Sequence, residues 1–284
     1  MKSFKWNASP CWTLIVMACI LILAGCAGVQ TPSKPAAVPE ISPGRLKGYL
    51  PFNAFPNSLA LIPQPPAAGS TALALDEETY RKTRAFRGTP RWELATQDAE
   101  LNFPEVAGTF SCAIKAPITE KDTPHLYMLL RRTLTDAGFS TYMAKNKYKR
   151  TRPFVVYKET TCFPDEEKRW INDGSYPSGH SSIGWAWALI LSEIDPEHTN
   201  AILARGRAFG ESRVVCGFHW QSDVTEAQFM GASTVARLHA DPVFRADIEA
   251  AKAELAAVRA NGLKPLRDCQ AEAAAMTFQP PSAK

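Results

Sequence analysis

The chain has 284 residues, enough to bury a substantial core in one large domain or two small ones. Hydrophobic residues make up 45% of it and charged residues 21%, proportions that are ordinary for a globular protein. The net charge of +4 is modest, and no basic stripe of the kind found in nucleic-acid-binding proteins is present, so nucleic acid is not expected as a partner.

Residues 1–25 are predicted to be a signal peptide. A basic start precedes an apolar segment over residues 11–23, which is too short to span a bilayer comfortably. The segment ends in the letters LAGC, which resemble a bacterial lipoprotein signal. The resemblance implies that Cys26 is lipidated and anchors the protein to a membrane in the periplasm, and Ala27 after it favours the outer membrane. An ordinary secretory signal that happens to contain a cysteine is the alternative.

Residues 26–70 form a leader that is rich in proline, alanine and glycine, so no regular element is expected there. Its first part, to about Gly44, is predicted to be a tether between the membrane and the domain. The pattern changes near Asp76, where helical periodicity begins. The helical domain is predicted over residues 71–260, with a C-terminal tail over residues 261–284.

The fold is predicted to be all-α, a single-domain helical bundle. The letters LDEETYRKTRAFRGTPRW have an acidic start and a basic end, as a helix dipole favours, and stop at Gly88-Thr89-Pro90. A second long helical pattern begins at Thr123 and is interrupted near Gly138. Apolar spacing predicts four further helices, over residues 179–194, 197–212, 219–239 and 242–260. The letters RPFVVY are the only short strand candidate.

Four cysteines lie after the signal segment, an even number that suits an exported protein in an oxidising compartment. They are Cys112, Cys162, Cys216 and Cys269. Three pairings are possible, and the sequence does not choose among them. No CxxC spacing occurs, so the cysteines give no support for a zinc site.

Three short blocks of polar residues suggest a site that binds phosphate. They have the form K-x6-RP, PSGH and SR-x5-H-x3-D, and their central residues are Lys145, Arg152, Ser178, Gly179, His180, Arg213, His219 and Asp223. Fixed cations and N–H donors stabilise the charge that redistributes over a phosphate ester during transfer. The arginines supply planar forks and the lysine a point charge. The PSGH block begins a helix, whose first N–H groups and a serine hydroxyl complete an anion cradle.

The histidine and aspartate of the third block are four residues apart, so they share one face if residues 219–223 are helical. A carboxylate that accepts from one imidazole nitrogen leaves the other free to act as a nucleophile. Three cations converging on one pocket would repel a metal ion, so no metal and no cofactor are expected.

The three blocks, together with FRGTPRW, GSYPSGHSSIGWAWAL and GESRVVCGFHWQSDV, resemble the bacterial class A non-specific acid phosphatases. These belong to the superfamily of type 2 phosphatidic-acid phosphatases and vanadium haloperoxidases, and the resemblance covers about residues 75–250. It implies a helical bundle that hydrolyses a broad range of phosphate monoesters without a metal. His219 would be the nucleophile that forms a phosphohistidine, Asp223 would orient it, and His180 would be the general acid. A homodimer or higher homo-oligomer is expected by the same resemblance.

Three other functions use the same residues. A narrower phosphohydrolase would act on nucleotide di- or triphosphates or on lipid phosphates, although the chain lacks the transmembrane helices of integral lipid phosphatases. A haloperoxidase would bind vanadate in the same cradle. A surface lipoprotein that scavenges phosphate would bind without turnover, but it would not need the pair of histidine and aspartate. The two histidines require opposite protonation states, so a bell-shaped pH profile centred below neutrality is expected.

Overall fold

The computed structural model describes residues 34–278, and the predicted signal peptide with Cys26 lies outside these residues. Two short strands, β1 (Glu40–Ser42) and β2 (Arg45–Leu46), form an antiparallel hairpin. The α-helices in chain order are α1 (Ser58–Leu61), α2 (Thr71–Thr83), α3 (Pro90–Gln97), α4 (Pro124–Phe139), α5 (Tyr142–Tyr148), α6 (Pro153–Tyr157), α7 (Glu167–Trp170), α8 (Gly179–Ile194), α9 (Thr199–Cys216), α10 (Gln221–Leu238), α11 (Pro242–Ala260) and α12 (Cys269–Thr277). Among the described helices, none combines the length and the apolar character needed to cross a membrane.

The prediction of an all-α fold is confirmed, and the four long helices predicted between residues 179 and 260 all form. The prediction of an interruption near Gly138 is also correct, because α4 ends at Phe139 and α5 begins at Tyr142. The strand predicted for RPFVVY is wrong. These residues form the short helix α6, whose first position is Pro153, where the fixed φ of proline suits a helix start.

The leader is more regular than its proline content suggested. Its hairpin is followed by buried residues, and Leu46, Tyr49 and Leu50 are each at most 8% exposed. The backbone N–H groups of Tyr49 and Leu50 donate to the buried Asp136 carboxylate of α4 at 2.9 and 3.0 Å. Tertiary hydrogen bonds therefore order a segment that has no helical or strand period of its own.

The helix α8 is central to the bundle, packed against α4, α9 and α10. Its side chains Trp187, Ile190 and Leu191 are almost completely buried. A glycine allows a close helix contact: a Cβ on Gly231 in α10 would lie 2.5 Å from the carbonyl oxygen of Ser182 in α8. The central position of α8 places its N-terminal end between the end of α9 and the start of α10.

The four cysteines form two disulfides, and these show the pairing that the sequence left open. Cys112 pairs with Cys269, which ties α12 to the segment before α4. Cys162 pairs with Cys216, the last residue of α9. The second bridge fixes the chain between two parts of the predicted site, because Cys216 lies between Arg213 and the predicted nucleophile.

Candidate active site

A cavity of about 250 Å³ opens at the N-terminal end of α8. Six of the eight predicted site residues line it: Lys145, Arg152, Gly179, His180, Arg213 and His219. The other two lie behind its wall, where Ser178 and Asp223 are fully buried. The three sequence blocks therefore meet at one place, although they are up to 78 residues apart in the chain.

Ser178 is the N-cap residue of α8. Its hydroxyl oxygen accepts from the Ser181 N–H at 3.3 Å and from the Ser181 hydroxyl at 3.0 Å, so its own hydrogen remains available to an acceptor. Gly179 and His180 are the first two helical residues, whose N–H groups have no acceptor within the helix. This helix end carries the positive end of the α8 dipole to the cavity wall.

The imidazole of His219 is 2% exposed, and its two nitrogens have different partners. Nε2 lies 3.0 Å from Nη1 of Arg152, and a guanidinium can only donate, so Nε2 accepts and carries no proton. Nδ1 then carries the proton, and it lies 3.2 Å from the Ser175 hydroxyl and 3.3 Å from Oδ2 of Asp223. The ring of His219 lines the cavity, and Nε2 is its nitrogen without a proton.

Asp223 is held by more partners than the sequence indicated. Its Oδ2 accepts from the Trp220 N–H at 2.9 Å and forms a very short hydrogen bond with the Ser175 hydroxyl. Its Oδ1 accepts from Arg150 at 2.7 Å. Helical geometry does not make the contact between His219 and Asp223, because α10 begins at Gln221 and the aspartate is the N3 residue, whose carboxylate accepts from the backbone N–H of the N-cap Trp220.

Arg150 also connects this carboxylate to a second buried one, because its Nη2 donates to Asp76 of α2 at 2.8 Å. Asp76 in turn accepts from the hydroxyl and the backbone N–H of Ser222. The two carboxylates share one guanidinium, which satisfies both charges in a dry environment. Asp223 is therefore fixed in position by its hydrogen bonds, as a residue that orients an imidazole must be.

Two cations of the cavity wall are anchored by backbone carbonyl groups. Lys145 Nζ donates to Gly174 O at 2.7 Å, and Arg152 donates to the carbonyl groups of Trp170, Asp173 and Phe218. The Asp173 carboxylate lies 3.1 Å from Arg152 and 3.8 Å from Lys145. These contacts fix the positions of the two cations before any ligand arrives.

Arg213 differs from these two cations, because Nε and Nη1 of its guanidinium are buried and no group among residues 34–278 accepts from them. Its charge lies 4.6 Å from the centre of the Phe218 ring. A buried guanidinium without an acceptor is costly. The arrangement fits an anion in the cavity as the missing acceptor.

Burial is the main cause that lowers the pKa of Lys145, Arg152 and Arg213 in the wall. The Lys145 pKa falls from 10.5 to about 7, mainly through burial and then through Arg152. The Arg213 pKa falls to about 9 for the same two reasons. Burial, followed by Arg152, lowers the pKa of His219 well below 6.5, so the ring is neutral near neutral pH.

Burial, followed by Arg213, likewise lowers the pKa of His180 well below 6.5. Its Nε2 lies 3.0 Å from the Ala99 carbonyl oxygen, which can only accept, so Nε2 carries the proton of the neutral ring. Nδ1 is then the nitrogen that can take or give a second proton. In the unliganded protein both histidines are therefore neutral, and the opposite protonation states that the sequence suggested require a bound anion.

Sequence reasoning missed three residues of the site, which are Arg150, Asp173 and Ser175. Arg150 stands in the basic run KYKRTR between two predicted phosphate ligands, and Ser175 is in the block GSYPSGH. Both residues therefore stand beside predicted site residues in the sequence. Their positions in the sequence do not show that their side chains contact Asp223. Within residues 34–278, no group of three or more His, Cys, Asp and Glu side chains is placed to hold a metal ion.

Comparisons with known proteins agree with this geometry. Residues 125–245 match the model of the PAP2 superfamily. The chain is 44% identical over 244 residues to a non-specific acid phosphatase of Providencia stuartii, which covers 84% of this chain and 98% of the relative. It is 42% identical to a non-specific acid phosphatase of Salmonella typhimurium over 70% of this chain and 80% of the relative. An acid phosphatase of Zymomonas mobilis is 41% identical over 73% and 78% of the two chains.

These matches confirm the resemblance seen in the sequence. The chain belongs to the PAP2 superfamily and groups with its non-specific acid phosphatases, which are phosphoric monoester hydrolases.

Proposed function

We propose that this member of the PAP2 superfamily is a metal-independent acid phosphatase that hydrolyses a broad range of phosphate monoesters through a phosphohistidine at His219. One observation carries the proposal: the unprotonated Nε2 of His219 accepts a hydrogen bond from Arg152, while Nδ1 is tied to the buried Asp223. A nucleophilic nitrogen, held in one tautomer beside cations, is what attack on a phosphate requires.

The remaining cavity residues have roles that follow from their chemistry. Arg213, Arg152 and Lys145 bind the nonbridging oxygens, together with the first N–H groups of α8 and the Ser178 hydroxyl. Nε2 of His219 forms a bond to phosphorus as the bond to the leaving oxygen breaks, and Nδ1 of His180 protonates that oxygen. Water then attacks the phosphoimidazole, returning a proton to His180 and releasing inorganic phosphate.

The protonation states support an acidic working range. A neutral nucleophile is available wherever the pH exceeds its lowered pKa. A phosphate bound beside His180 offsets the positive charges that lower the pKa of this ring, and so restores its proton. Loss of charge on Lys145 near pH 7 weakens phosphate binding on the alkaline side. A bell-shaped profile with its maximum below neutrality follows from these three groups.

The breadth of the substrate range is inferred from the cavity lining outside the predicted phosphate-binding residues. This lining combines apolar, aromatic and charged side chains, among them Leu101, Phe139, Tyr142, Phe163, Trp170 and Arg169. A mixed wall of this kind accepts leaving groups of varied chemistry, because the phosphate cradle fixes the orientation.

The first test is hydrolysis of p-nitrophenyl phosphate from about pH 4 to pH 9 with a chelator present. We expect chelator-resistant activity with an acidic maximum, lost in His219→Ala. The matched control is His239→Ala, because this histidine is 41% exposed on the protein surface and does not line the cavity. Quenching in alkali during turnover, followed by peptide mass spectrometry, should find a phosphoryl group on His219. Activity that survives His219→Ala would overturn the assignment.

We also propose that the protein is held on the outer membrane, facing the periplasm, by a lipid on Cys26. The LAGC segment and the two disulfides, which suit an oxidising compartment, support this location. Cys26→Ser should move the protein from the membrane fraction to the soluble periplasmic fraction. A membrane-bound Cys26→Ser variant would contradict lipid anchoring. A homodimer or larger assembly is proposed by family resemblance, and light scattering on the purified protein tests it.

A further inference from the structure

Arg45 is a second unpaired arginine on the cavity wall, and it comes from the leader. It is the first residue of β2, is half-buried, and lines the same cavity as the catalytic histidines. Its side chain forms no hydrogen bond with residues 34–278, and no carboxylate among these residues lies within ion-pair distance of its guanidinium. Burial, followed by the charge of Arg169, lowers its pKa. An arginine that is partly removed from water without a partner is destabilising unless a ligand accepts its hydrogen bonds.

The backbone that carries Arg45 is firmly attached to the domain. The next residue, Leu46, is 4% exposed, and its carbonyl oxygen accepts from the Thr135 hydroxyl at 2.7 Å. Two residues further, Gly48 lies so close to Asp136 that a Cβ would be 2.6 Å from its carboxyl carbon. The hairpin is thus fixed on α4, and Arg45 is positioned in advance for a ligand.

Arg45 lines the same cavity as His180, from which the leaving group would take its proton. Its charge is among the causes that lower the pKa of His180, the proposed general acid. Arg169 also lines the cavity but is paired with Glu166 at 3.5 Å. The charge of Glu100 raises the pKa of Arg45. One carboxylate oxygen of Glu100 already accepts two backbone N–H groups, from Leu101 and Asn102. Among residues 34–278, therefore, Arg45 is an arginine of the cavity lining whose guanidinium has no recorded partner.

We propose that Arg45 binds an anionic group on the leaving part of the substrate, so that the enzyme prefers phosphate esters whose leaving alcohol carries a carboxylate or a second phosphate. The guanidinium fork suits either group, since both present two coplanar oxygen acceptors to it. This proposal rests on the proposed function, and it assigns a specificity role to a residue outside the three phosphate-binding blocks.

An anion on Arg45 also assists the proton transfer. It offsets a positive charge that disfavours the protonated form of His180. The leaving oxygen of such a substrate then meets a general acid that carries its proton. The chemistry is unchanged: the phosphoryl group passes to His219 and the protonated alcohol departs with its anionic group bound to Arg45.

The test compares two substrates that share a three-carbon skeleton. 3-Phosphoglycerate carries a carboxylate where glycerol 3-phosphate carries a neutral hydroxymethyl group. We expect kcat/KM to favour 3-phosphoglycerate in the wild type, and Arg45→Gln to reduce that preference about tenfold or more, mainly through a lower kcat/KM for 3-phosphoglycerate. Because the side chain of Arg45 forms no hydrogen bond with residues 34–278, this variant is expected to keep the fold, and its Tm is measured alongside.

Lys47→Gln is the matched control, since it removes the same charge from the same segment at an exposed position outside the cavity. An equal change in both variants would mean that the two positive charges act on the substrate only through their long-range electrostatic field, and it would overturn the proposal. So would an unchanged preference in Arg45→Gln, or a wild type that prefers glycerol 3-phosphate. If the wild type hydrolyses neither substrate, the proposed function fails first. Calorimetric binding of 3-phosphoglycerate to wild type and Arg45→Gln then still decides the role of Arg45.

Discussion

The proposed function predicts that Lys145 sets the alkaline limit of substrate binding. Its ammonium group is 4% exposed, donates to the Gly174 carbonyl at 2.7 Å and lies among cations. The fall of its pKa from 10.5 to about 7 corresponds to roughly 5 kcal/mol of lost charge stabilisation. In the free enzyme, therefore, each pH unit above about 7 reduces the charged fraction of Lys145 about tenfold. A bound phosphate restores the charge, so kcat changes less with pH than kcat/KM.

The substitution Lys145→Met removes the titrating ammonium group, so the pH profile of the variant no longer contains its ionisation. At pH 5.5 we expect the variant to lose about 10- to 100-fold in kcat/KM, the effect of one charge-assisted hydrogen bond to the phosphate. The deficit should shrink as the pH rises from 7 to 8.5, because the wild type loses the same charge there. Substrate ionisation cancels in the ratio of variant to wild type. Arg213, with a pKa of about 9, adds a later decline that both proteins share.

The assay is kcat/KM for p-nitrophenyl phosphate at half-unit steps of pH for wild type, Lys145→Met and Lys147→Met. Lys147 is the control, because it is exposed on the same helix, α5, and does not line the cavity. A ratio of Lys145→Met to wild type that stays constant from pH 6 to pH 8.5 would refute the reasoning. Lysine would then be charged throughout, or would not contact the phosphate.

Three further predictions follow from contacts around the site. Asp223→Asn should reduce kcat by at least about 100-fold with a small effect on KM in steady-state assays, because an amide cannot hold His219 in the same tautomer; a kcat within threefold of wild type would contradict it. Gly48→Ala should lower the free energy of unfolding by about 1–3 kcal/mol in urea titrations, because the added Cβ overlaps the Asp136 carboxylate; unchanged stability would mean that the leader is not fixed there. Cys112→Ser should cost about 2–5 kcal/mol by the same measurement yet leave kcat nearly unchanged, because its disulfide lies outside the cavity wall; a large loss of kcat in the folded variant would show that this bridge supports the site.

The long helices were predictable because their signal is local. Apolar residues at spacings of three and four mark the face that α8 buries, and Ser178 before Gly179 is a standard helix start. The strand predicted for RPFVVY failed for the opposite reason. β-branched residues favour strands only where a partner strand exists, and no such neighbour is found among the described residues, whose two strands pair with each other.

The leader escaped prediction because its order comes from distant residues. Nothing near Tyr49 in the sequence indicates that its N–H will meet Asp136, a carboxylate 87 positions away. The same limit applies to Arg45, whose importance appears only when the hairpin is seen beside His180. Local composition described a proline-rich tether, whereas hydrogen bonds to α4 fix this segment on the domain, and its residues Ser42 and Arg45 line the cavity.

The phosphate cradle was predictable in its residues but not in its charge balance. Lys145 and Arg152 are stabilised by carbonyl groups and by Asp173, whereas Arg213 has two buried donors for which residues 34–278 supply no acceptor. Its neighbour Phe218 supplies a ring face at 4.6 Å but no hydrogen-bond acceptor. A phosphate provides the missing oxygens, so part of its binding free energy comes from ending an unfavourable state of the free protein. Phosphate released by the reaction has the same oxygens, and for that reason the product should compete with substrate most strongly below pH 7, where Lys145 is still charged.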